Sequence, residues 1–478
     1  MRNNIIFLHV FVLLALTSLT GCMSPKYVRP ALSEPVPVEY KEEGGWKTAT
    51  PGDSLDRGDW WARFGDPVLS GLIVKANGAN QNIAIAAANF RQARTQIPSA
   101  RSAFLPGVNV TASAERSDAG YSPVSSRYAI GATSSWEVSF WNAIPAFEAA
   151  KAMTEASAAD YATMRLSIQA EVAQTYFQIA TMDEQVRLYE RTLSAYAKAV
   201  RLTKSQHQGG IATPADVAQA ETQLAAAEAE LGAIKRNRAE LENALAVLTG
   251  QLPSTFKLPA TNLAATLPPV PYALPSTLLE RRPDVAAAER QVMVANEQIG
   301  IARGAWFLSL TLGGSRGFLA SPWTEAAAHT WAFGPSAALS IFQGGQRVAQ
   351  NDAAWAGFEA AVAAYRQTVL QAFQEVENNI SGLRYMEDEA KARARAVTAS
   401  NTAVRLSLAQ YEAGLTTYLQ VVATQTTALA NQRQALHTQG QQLVATVTLI
   451  KALGGGFDPS TPEKMRTGLL TPLEGKAP

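Results

Sequence analysis

Residues 161–200 of the chain read YATMRLSIQAEVAQTYFQIATMDEQVRLYERTLSAYAKAV. Apolar side chains recur in this stretch at steps of three and four residues, with a mean step of about 3.5, the period of a coiled coil. No proline and no internal glycine occurs between Phe147 and His207. About 60 residues at 1.5 Å each predict one helix of roughly 90 Å, far longer than an ordinary globular helix.

The same pattern occurs twice along the chain. Gly210 recurs as Gly414 and Gly250 as Gly454, and both offsets (414−210 and 454−250) are 204 residues. Self-similarity at a fixed offset indicates an internal duplication into two structural repeats. A catalytic site seldom needs two copies of a whole domain, whereas a symmetric wall does. The duplication therefore favours a scaffold or a ring.

Each repeat is predicted to end in a long helical hairpin, at about 146–250 and about 346–453. A glycine turn joins the two arms of each hairpin. In the first turn, Gly210 is predicted to supply a left-handed C-cap, and Thr213, just before Pro214, the next N-cap. The second return arm carries an unbroken ladder of apolar residues seven apart: Val422, Leu429, Leu436, Leu443 and Ile450.

A β-hairpin is predicted ahead of each helical hairpin, at about 106–141 and about 308–342. Its side chains alternate over segments of about ten residues, which is typical of membrane strands. Four strands per chain cannot close around a pore, since the smallest bacterial barrels have about eight strands. The sequence therefore predicts a β-barrel assembled from several chains. The alternative is two surface β-hairpins on a soluble protein.

The N-terminal residues are typical of a secreted lipoprotein. Residues 1–21 contain a short apolar run and are predicted to be a signal peptide. The run ends in Leu-Thr-Gly-Cys22, which resembles a bacterial lipobox, and Cys22 is the only cysteine of the chain. We expect S-diacylglycerol and an N-acyl group on Cys22, which would tether the chain to a membrane. A signal peptide with a chance cysteine is the alternative.

The residue after Cys22 bears on location. Met23 stands where an aspartate would favour the inner membrane, so the expected location is the cell outer membrane.

Asp66 is predicted to be an N-cap, with Pro67 in the first helical turn. The predicted organisation is a lipidated extended segment (22–65), a first repeat (66–250), a proline-rich linker (251–276), a second repeat (277–454) and a flexible tail (455–478).

Composition argues against several function classes. The net charge of +1 and the pI near 7.8 are not those of a nucleic-acid surface, which needs a clustered basic excess. The four histidines are isolated, and no spacing typical of a zinc site or a phosphate-binding loop occurs. No clustered acid, base or thiol points to catalysis, so neither an enzyme nor a cofactor is expected. No apolar stretch long enough for a spanning helix follows Cys22, so a chain that crosses a bilayer must do so as a closed barrel.

Several motifs in order carry a resemblance to a known family. They are Pro25-Lys26-Tyr27-Val28-Arg29-Pro30, Trp60-Trp61-Ala62-Arg63-Phe64-Gly65-Asp66-Pro67, Leu279-Glu280-Arg281-Arg282-Pro283-Asp284-Val285, Tyr411-Glu412-Ala413-Gly414-Leu415-Thr416 and Lys451-Ala452-Leu453-Gly454-Gly455-Gly456. With these motifs the chain resembles the TolC-like outer-membrane efflux channels (outer membrane factors), in the OprM/NodT-type lipoprotein branch. The resemblance covers nearly the whole mature sequence.

The resemblance implies a mixed α+β fold, mostly α, and a homotrimer. The β-hairpins of three chains would form one 12-stranded transmembrane β-barrel, and the long hairpins an α-barrel that extends into the periplasm. Such channels are passive. A periplasmic adaptor (membrane fusion) protein and an inner-membrane pump of the RND type would be the partners, together with outer-membrane lipid and no nucleic acid.

The resemblance also assigns candidate site residues. Leu419 matches an apolar ring that narrows the periplasmic aperture, and Tyr418 and Leu419 together are the predicted gate. Ala423 stands where the family has an acidic residue, and Asn142-Ala143 where it usually has Gly-Arg after the second strand. The predicted adaptor-docking helix tips are Gly210, Thr213, Gly414, Leu415 and Thr416. The alternative is that these are only turn residues.

The predicted function is therefore an outer-membrane channel that exports small compounds, such as drugs or other toxic molecules. A non-pore structural coiled-coil lipoprotein or a periplasmic adaptor is the alternative, although no lipoyl-like domain flanks either hairpin. An enzyme is the third hypothesis. The sequence leaves the cargo open among drugs, solvents, metal ions and secreted metabolites. The second hairpin, around Tyr418 and Leu419, is expected to be the moving part.

Overall fold

The computed structural model describes residues 24–32, 59–118, 124–263, 282–321 and 326–455. The predicted signal peptide, Cys22 and the predicted tail after Gly455 lie outside the described residues. In chain order the elements are a 3-10 helix (Trp60–Phe64), α1 (Pro67–Ala79), α2 (Gln81–Ser102), β1 (Gly107–Ser117), β2 (Ser125–Val138), α3 (Phe140–Gln208), α4 (Pro214–Leu248), α5 (Pro283–Gly304), β3 (Ser309–Ala320), β4 (Ala328–Ala338), α6 (Gln346–Glu412) and α7 (Tyr418–Ala452). The predicted mixed class, mostly α, is confirmed.

Two of the helices are far longer than the globular average. α3 has 69 residues and α6 has 67, and each is followed by a helix of 35 residues, α4 or α7. The predicted long helical hairpins are therefore confirmed. α3 begins at Phe140 rather than at about 146, and it includes Pro145, whose nitrogen cannot donate an intrahelical hydrogen bond.

The same order of elements occurs twice: a helix of 22 residues, two strands, a very long helix and a helix of 35 residues. The two sequence repeats therefore fold into matching sets of elements. Their origin in an internal duplication stays a prediction.

The helix starts follow local cap chemistry. The Asp66 Oδ1 atom accepts the backbone N–H groups of Val68 at 2.8 Å and Leu69 at 3.1 Å, and Pro67 occupies the first helical position of α1. The predicted N-cap is thus present. Its carboxylate satisfies two of the N–H groups that every helix leaves free at its first turn.

The four strands form one antiparallel sheet in the order β1-β2-β3-β4. Gly107 pairs with Ser135, Val138 with Leu310, and the strand β3 continues the ladder to β4. Because residues directly opposite each other share a face, the register assigns every side chain to one of two faces. The predicted gathering of twelve strands from three chains stays a prediction.

The two faces of the sheet differ in chemistry. What we call the apolar face carries Val108, Val110, Ala112, Ala114, Ile130, Ala132, Trp136, Val138, Leu310, Leu312, Phe318, Trp331 and Phe333. The polar face carries small or polar residues, among them Asn109, Thr111, Ser113, Glu115, Arg127, Thr133, Ser135, Glu137, Thr311, Ser315, Thr330 and Ser336. This alternation is what a sheet between an apolar and an aqueous phase requires.

Within the described ranges, no helix combines the length and the apolarity needed to cross a membrane.

The chain forms two compact units, and both draw on the two sequence repeats. The first unit contains the described residues within 1–34, 87–160 and 284–368, with the sheet among them. The second contains the described residues within 35–86, 161–283 and 369–478, with both helix–helix turns among them. Because the helices α3 and α6 each pass from one unit to the other, the sequence repeats and the compact units divide the chain differently.

The main core of the second unit forms where the 3-10 helix and α1 pack on α3. Trp60 and Trp61 are buried, and the indole N–H of Trp60 donates to Gln169 Oε1 at 3.2 Å. The rings of Phe64 and Phe177 lie 4.9 Å apart. The Trp-Trp motif thus anchors the start of the first repeat against its longest helix.

The first part of the predicted linker is ordered on α3 and α4. Asp183 Oδ2 accepts the backbone N–H of Thr261 at 2.9 Å, and Asp183 Oδ1 accepts the Arg238 Nε–H at 2.6 Å. Glu242 Oε1 accepts the backbone N–H of Leu258 at 2.6 Å. Buried charge on the helices therefore satisfies the linker backbone. The second part of the linker, residues 264–276, lies outside the described residues.

Candidate functional site

The turn of the first helical hairpin is closed by a glycine and a capping box. Gly210 has a φ of 74°, and the backbone N–H of Ile211 donates to the Gln206 carbonyl at 2.8 Å. The Thr213 backbone N–H donates to Asp216 Oδ2 at 2.9 Å, and the Asp216 backbone N–H donates to Thr213 Oγ1 at 3.2 Å. This reciprocal pair fixes the start of α4.

The turn of the second helical hairpin has the same glycine but a weaker cap. Gly414 has a φ of 73°, and the Leu415 backbone N–H donates to the Gln410 carbonyl at 2.8 Å. Thr417 is the N-cap of α7, yet its side chain makes no capping hydrogen bond. Thr416 is half-buried, whereas Leu415 is 78% exposed. The two turns therefore have similar backbones, but only the first has a side-chain cap. Such a cap stabilises a helix start by about 1 kcal/mol.

Tyr418, predicted as a gate residue, is buried within the chain, with 2% of its surface exposed. It belongs to what we call the tip cluster: Ala199, Val200, Ala220, Tyr411, Tyr418, Val421 and Val422. The cluster draws on α3, α4, α6 and α7, so it joins the two helical hairpins near their turns. Burial, and then the neighbouring Tyr411 and Tyr196, raises the pKa of Tyr418 to about 12.

Leu419, the other predicted gate residue, is 65% exposed. Ala423 follows it by one helical turn and is also exposed, so the two side chains share one face of α7. Residues 418–432 contain no charged side chain. The exposed face of this part of α7 is therefore uncharged, and the apolar side chain of Leu419 lies on it.

Several buried polar atoms in the two hairpins near their turns lack a hydrogen-bond partner among the described residues. Three of them belong to buried residues: Thr203 Oγ1, Tyr411 Oη and Gln425 Oε1. A buried polar group without a partner costs about 1–3 kcal/mol. The sequence does not reveal these three residues as a group, because they lie on three different helices. Burial of apolar side chains thus stabilises the tip cluster, and the buried polar atoms without partners destabilise it.

The chain next to the predicted lipidation site is fixed in the first unit. The Arg29 Nε–H donates to Glu289 Oε1 at 2.8 Å, and the Asn296 side-chain amide donates to the Pro25 carbonyl at 2.8 Å. Burial and the Glu289 carboxylate raise the pKa of Tyr27 to about 12. Residues 24–32 are therefore held on α5, within a few residues of Cys22, which lies outside the described residues.

No group of three or more His, Cys, Asp or Glu side chains that could hold a metal ion occurs in the part of the chain that the structure describes. Several carboxylates there serve as caps or ion-pair partners, for example Asp66 as a cap and Glu289 as the partner of Arg29. The features that stand out are the two helix–helix turns, the tip cluster and the two-faced sheet.

The family model described as outer membrane efflux protein matches residues 72–251 and 274–455. The two matched segments coincide closely with the two repeats of elements, and each contains one β-hairpin and one helical hairpin.

Curated relatives match over almost the full chain. The pyoverdine export outer membrane protein OpmQ of Pseudomonas aeruginosa is 30% identical over 448 residues, which cover 89% of this chain and 94% of the relative. The toluene efflux pump outer membrane protein TtgC of Pseudomonas putida is 30% identical over 460 residues, which cover 92% of this chain and 93% of the relative.

Among solved structures, the outer-membrane channel OprN is similar in fold. The TM-score is 0.83 at 26% sequence identity, and the match covers 91% of this chain and 99% of the channel. Sequence similarity and fold similarity thus each cover about nine-tenths of the chain.

Proposed function

The chain belongs to the outer membrane efflux protein family, and we propose that it is the passive outer-membrane conduit of a tripartite efflux system. The family is one of channels, not of enzymes. The observation that carries the proposal is the combination, twice in one chain, of a β-hairpin with a very long helical hairpin. A spacer or adaptor protein has no need of a sheet with one apolar and one polar face.

The proposed cargo is small molecules, drugs or other toxic compounds among them. OpmQ carries the name of a pyoverdine exporter and TtgC that of a toluene efflux pump component, so relatives about equally distant from this chain are named for different cargoes. We infer that the conduit itself discriminates little. The neutral exposed face around Leu419 and Ala423 supports this inference, since it offers no charge to select ions.

The proposed assembly is a homotrimer located in the outer membrane and extending into the periplasm. The sheet supports it because β1 and β4 each leave one strand edge without a partner within the described chain. An adaptor protein and an inner-membrane pump of the RND type are the proposed partners, with docking at Gly210, Thr213, Gly414, Leu415 and Thr416. Leu419 and, through its packing, Tyr418 are the proposed gate.

The proposed membrane anchor is covalent lipid, S-diacylglycerol and an N-acyl group, on Cys22. The ordered segment 24–32 supports this, because acyl chains attached close to a fixed segment would hold the protein at one depth. Mass spectrometry of the purified protein tests it. The expected mass increase disappears in Cys22→Ser, and an unmodified wild-type Cys22 would contradict the proposal.

Single-channel recording in a planar bilayer tests the conduit. We expect conductance steps from the purified full-length protein, and larger steps after Leu419→Ala. Export is tested by deleting the gene and measuring sensitivity to drugs and solvents, with the wild-type gene restored as the control. A protein that inserts but never conducts, even with Leu419 replaced, would favour the non-pore alternative.

A further inference from the structure

The apolar face of the sheet carries an arginine in β3. Arg316 of β3 pairs directly with Ala132 of β2 and Trp331 of β4, so its side chain belongs to the apolar face. A charge on a face that contacts hydrocarbon is destabilising, and least so near the membrane interface. Arg127, by contrast, pairs with Glu115 and lies on the polar face.

The Arg316 side chain leans toward the loop end of the sheet. Its Nε–H donates to His329 Nε2 at 3.0 Å. His329 is two residues nearer that end than Trp331, the direct partner of Arg316. The long side chain thus carries its charge away from the middle of the strands, as basic side chains do at membrane interfaces. His329 Nε2 is the acceptor of this hydrogen bond, so the ring fixes the direction of the guanidinium.

In the part of the chain that the structure describes, the two amino groups of the guanidinium, Nη1 and Nη2, make no hydrogen bond. Among the residues that the structure describes, no carboxylate pairs with Arg316, although Arg127 on the other face lies opposite Glu115. Two parallel N–H groups on a planar guanidinium match the oxygen atoms of a phosphate group. An arginine in this position therefore has the geometry of a phosphate ligand rather than of an ion-pair partner.

Apolar and aromatic side chains surround the charge. The His329 and Phe318 rings lie 5.6 Å apart edge to face. Trp331 is 74% exposed and Phe333 is 77% exposed, and both flank the arginine on β4. Aromatic residues on the outer face of membrane strands mark the level of lipid headgroups. A ligand that meets both the charge and the rings must be anionic at one end and apolar at the other.

We propose that Arg316, oriented by His329 and flanked by Phe318 and Trp331, binds the phosphate headgroup of an anionic membrane lipid. The proposal rests on the proposed function, because it needs the apolar face of the sheet to contact the lipid. The loop end of the sheet is then the headgroup level, and the exposed rings contact the upper part of the acyl chains. A free phosphate ion would satisfy the charge but leave the rings without a partner.

Binding of a phosphorylated glycolipid to the full-length protein in detergent micelles tests the proposal. The probe is lipid A carrying both phosphates, and the comparison probes are dephosphorylated lipid A and inorganic phosphate. We expect saturable binding of lipid A and at least tenfold weaker binding of the dephosphorylated form. Arg316→Gln should weaken lipid A binding by about tenfold, since one charge-assisted hydrogen-bonding group is lost.

Two further variants sharpen the result. Arg316→Lys keeps the charge but not the planar fork, so it should retain part of the affinity. Arg127→Gln removes an arginine from the polar face of the neighbouring strand and should leave lipid A binding unchanged. Equal losses in Arg127→Gln and Arg316→Gln would overturn the proposal, because total charge would then explain the binding.

Other outcomes also overturn it. Equal affinity for dephosphorylated lipid A would mean that the apolar face binds acyl chains alone. Displacement of lipid A by inorganic phosphate at equal concentration would make the ligand a free anion. Conductance in a planar bilayer separates this test from the proposed function: a wild-type protein that conducts but binds no lipid A sinks only the lipid site, whereas one that never conducts sinks the conduit.

Discussion

The rings of Tyr411 and Tyr418 lie 5.3 Å apart, tilted by 59°, across the turn of the second helical hairpin. Tyr411 is in the last turn of α6, and Tyr418 is the first residue of α7. The ring pair therefore connects the two arms at the place where the Thr417 side chain supplies no cap. Side-chain packing replaces cap chemistry at this tip.

Replacing Tyr418 should loosen the tip cluster. Tyr418→Ala leaves a cavity in place of a buried ring, and such truncations cost about 3–5 kcal/mol. We expect faster hydrogen exchange at the start of α7, measured by mass spectrometry, and a larger resting conductance. Tyr418→Phe keeps the ring and should stay near wild type. If Tyr418→Ala exchanged as slowly as wild type, the cluster would not hold the tip.

The two N-caps should respond differently to the same substitution. Thr213→Ala removes both hydrogen bonds that Thr213 Oγ1 makes with Asp216 and should destabilise the start of α4 by about 1 kcal/mol. Thr417→Ala removes no capping hydrogen bond and should change little. Hydrogen exchange of the first turn of α4 and of α7 measures both. Equal effects at the two tips would contradict the assigned asymmetry.

High pH should loosen the same tip. The folded state raises the pKa of Tyr418 from 10.0 to about 12, so it holds the phenol proton more tightly than the unfolded chain does. This contribution to stability is complete below pH 10, declines between pH 10 and about 12, and is lost above that range. We expect hydrogen exchange at the start of α7, corrected for its intrinsic pH dependence, to rise across this window. In Tyr418→Phe that rise should be smaller, and an identical pH profile would contradict the assignment.

An acidic residue at position 423 should give the conduit a preference for cations. Ala423 is exposed one turn after Leu419 on a part of α7 that has no charge. Ala423→Asp should shift the reversal potential in a salt gradient toward that of the cation, because a ring of carboxylates attracts cations. Ala423→Asn, similar in size but neutral, is the control. A shift of equal size in both variants would show that the charge at position 423 does not act on the permeating ions.

Local chemistry explains what could be predicted from the sequence. The period of 3.5 residues in 161–200 predicts a long helix because apolar side chains at this spacing all lie on one face of a helix. Asp66 and Thr213 are identifiable as caps because each hydrogen bond reaches only two or three residues along the chain. The alternation in the strands likewise assigns two faces to the sheet before any pairing is known.

Contacts between distant residues explain what could not be predicted. Arg29 and Glu289 are 260 residues apart, and no periodicity links them. Tyr418 is predicted, with Leu419, as part of the gate, and the sequence shows no sign that it is buried. Its burial depends on Val200 and Ala220 of the other hairpin, which the sequence does not place beside it. The polar atoms of Thr203 and Gln425 that lack partners are equally invisible along the chain.

The tip cluster is apolar, and residues 418–432 carry no charge. These two properties determine how the tip responds to temperature and to salt. Attraction between apolar surfaces weakens on cooling, whereas dissolved salt hardly affects a contact that contains no charge. A tip held in this way should be loosest in the cold and indifferent to the ionic strength of the surrounding fluid. A bacterium moved from warm to cold water would then carry channels whose closure has softened, however brackish that water is.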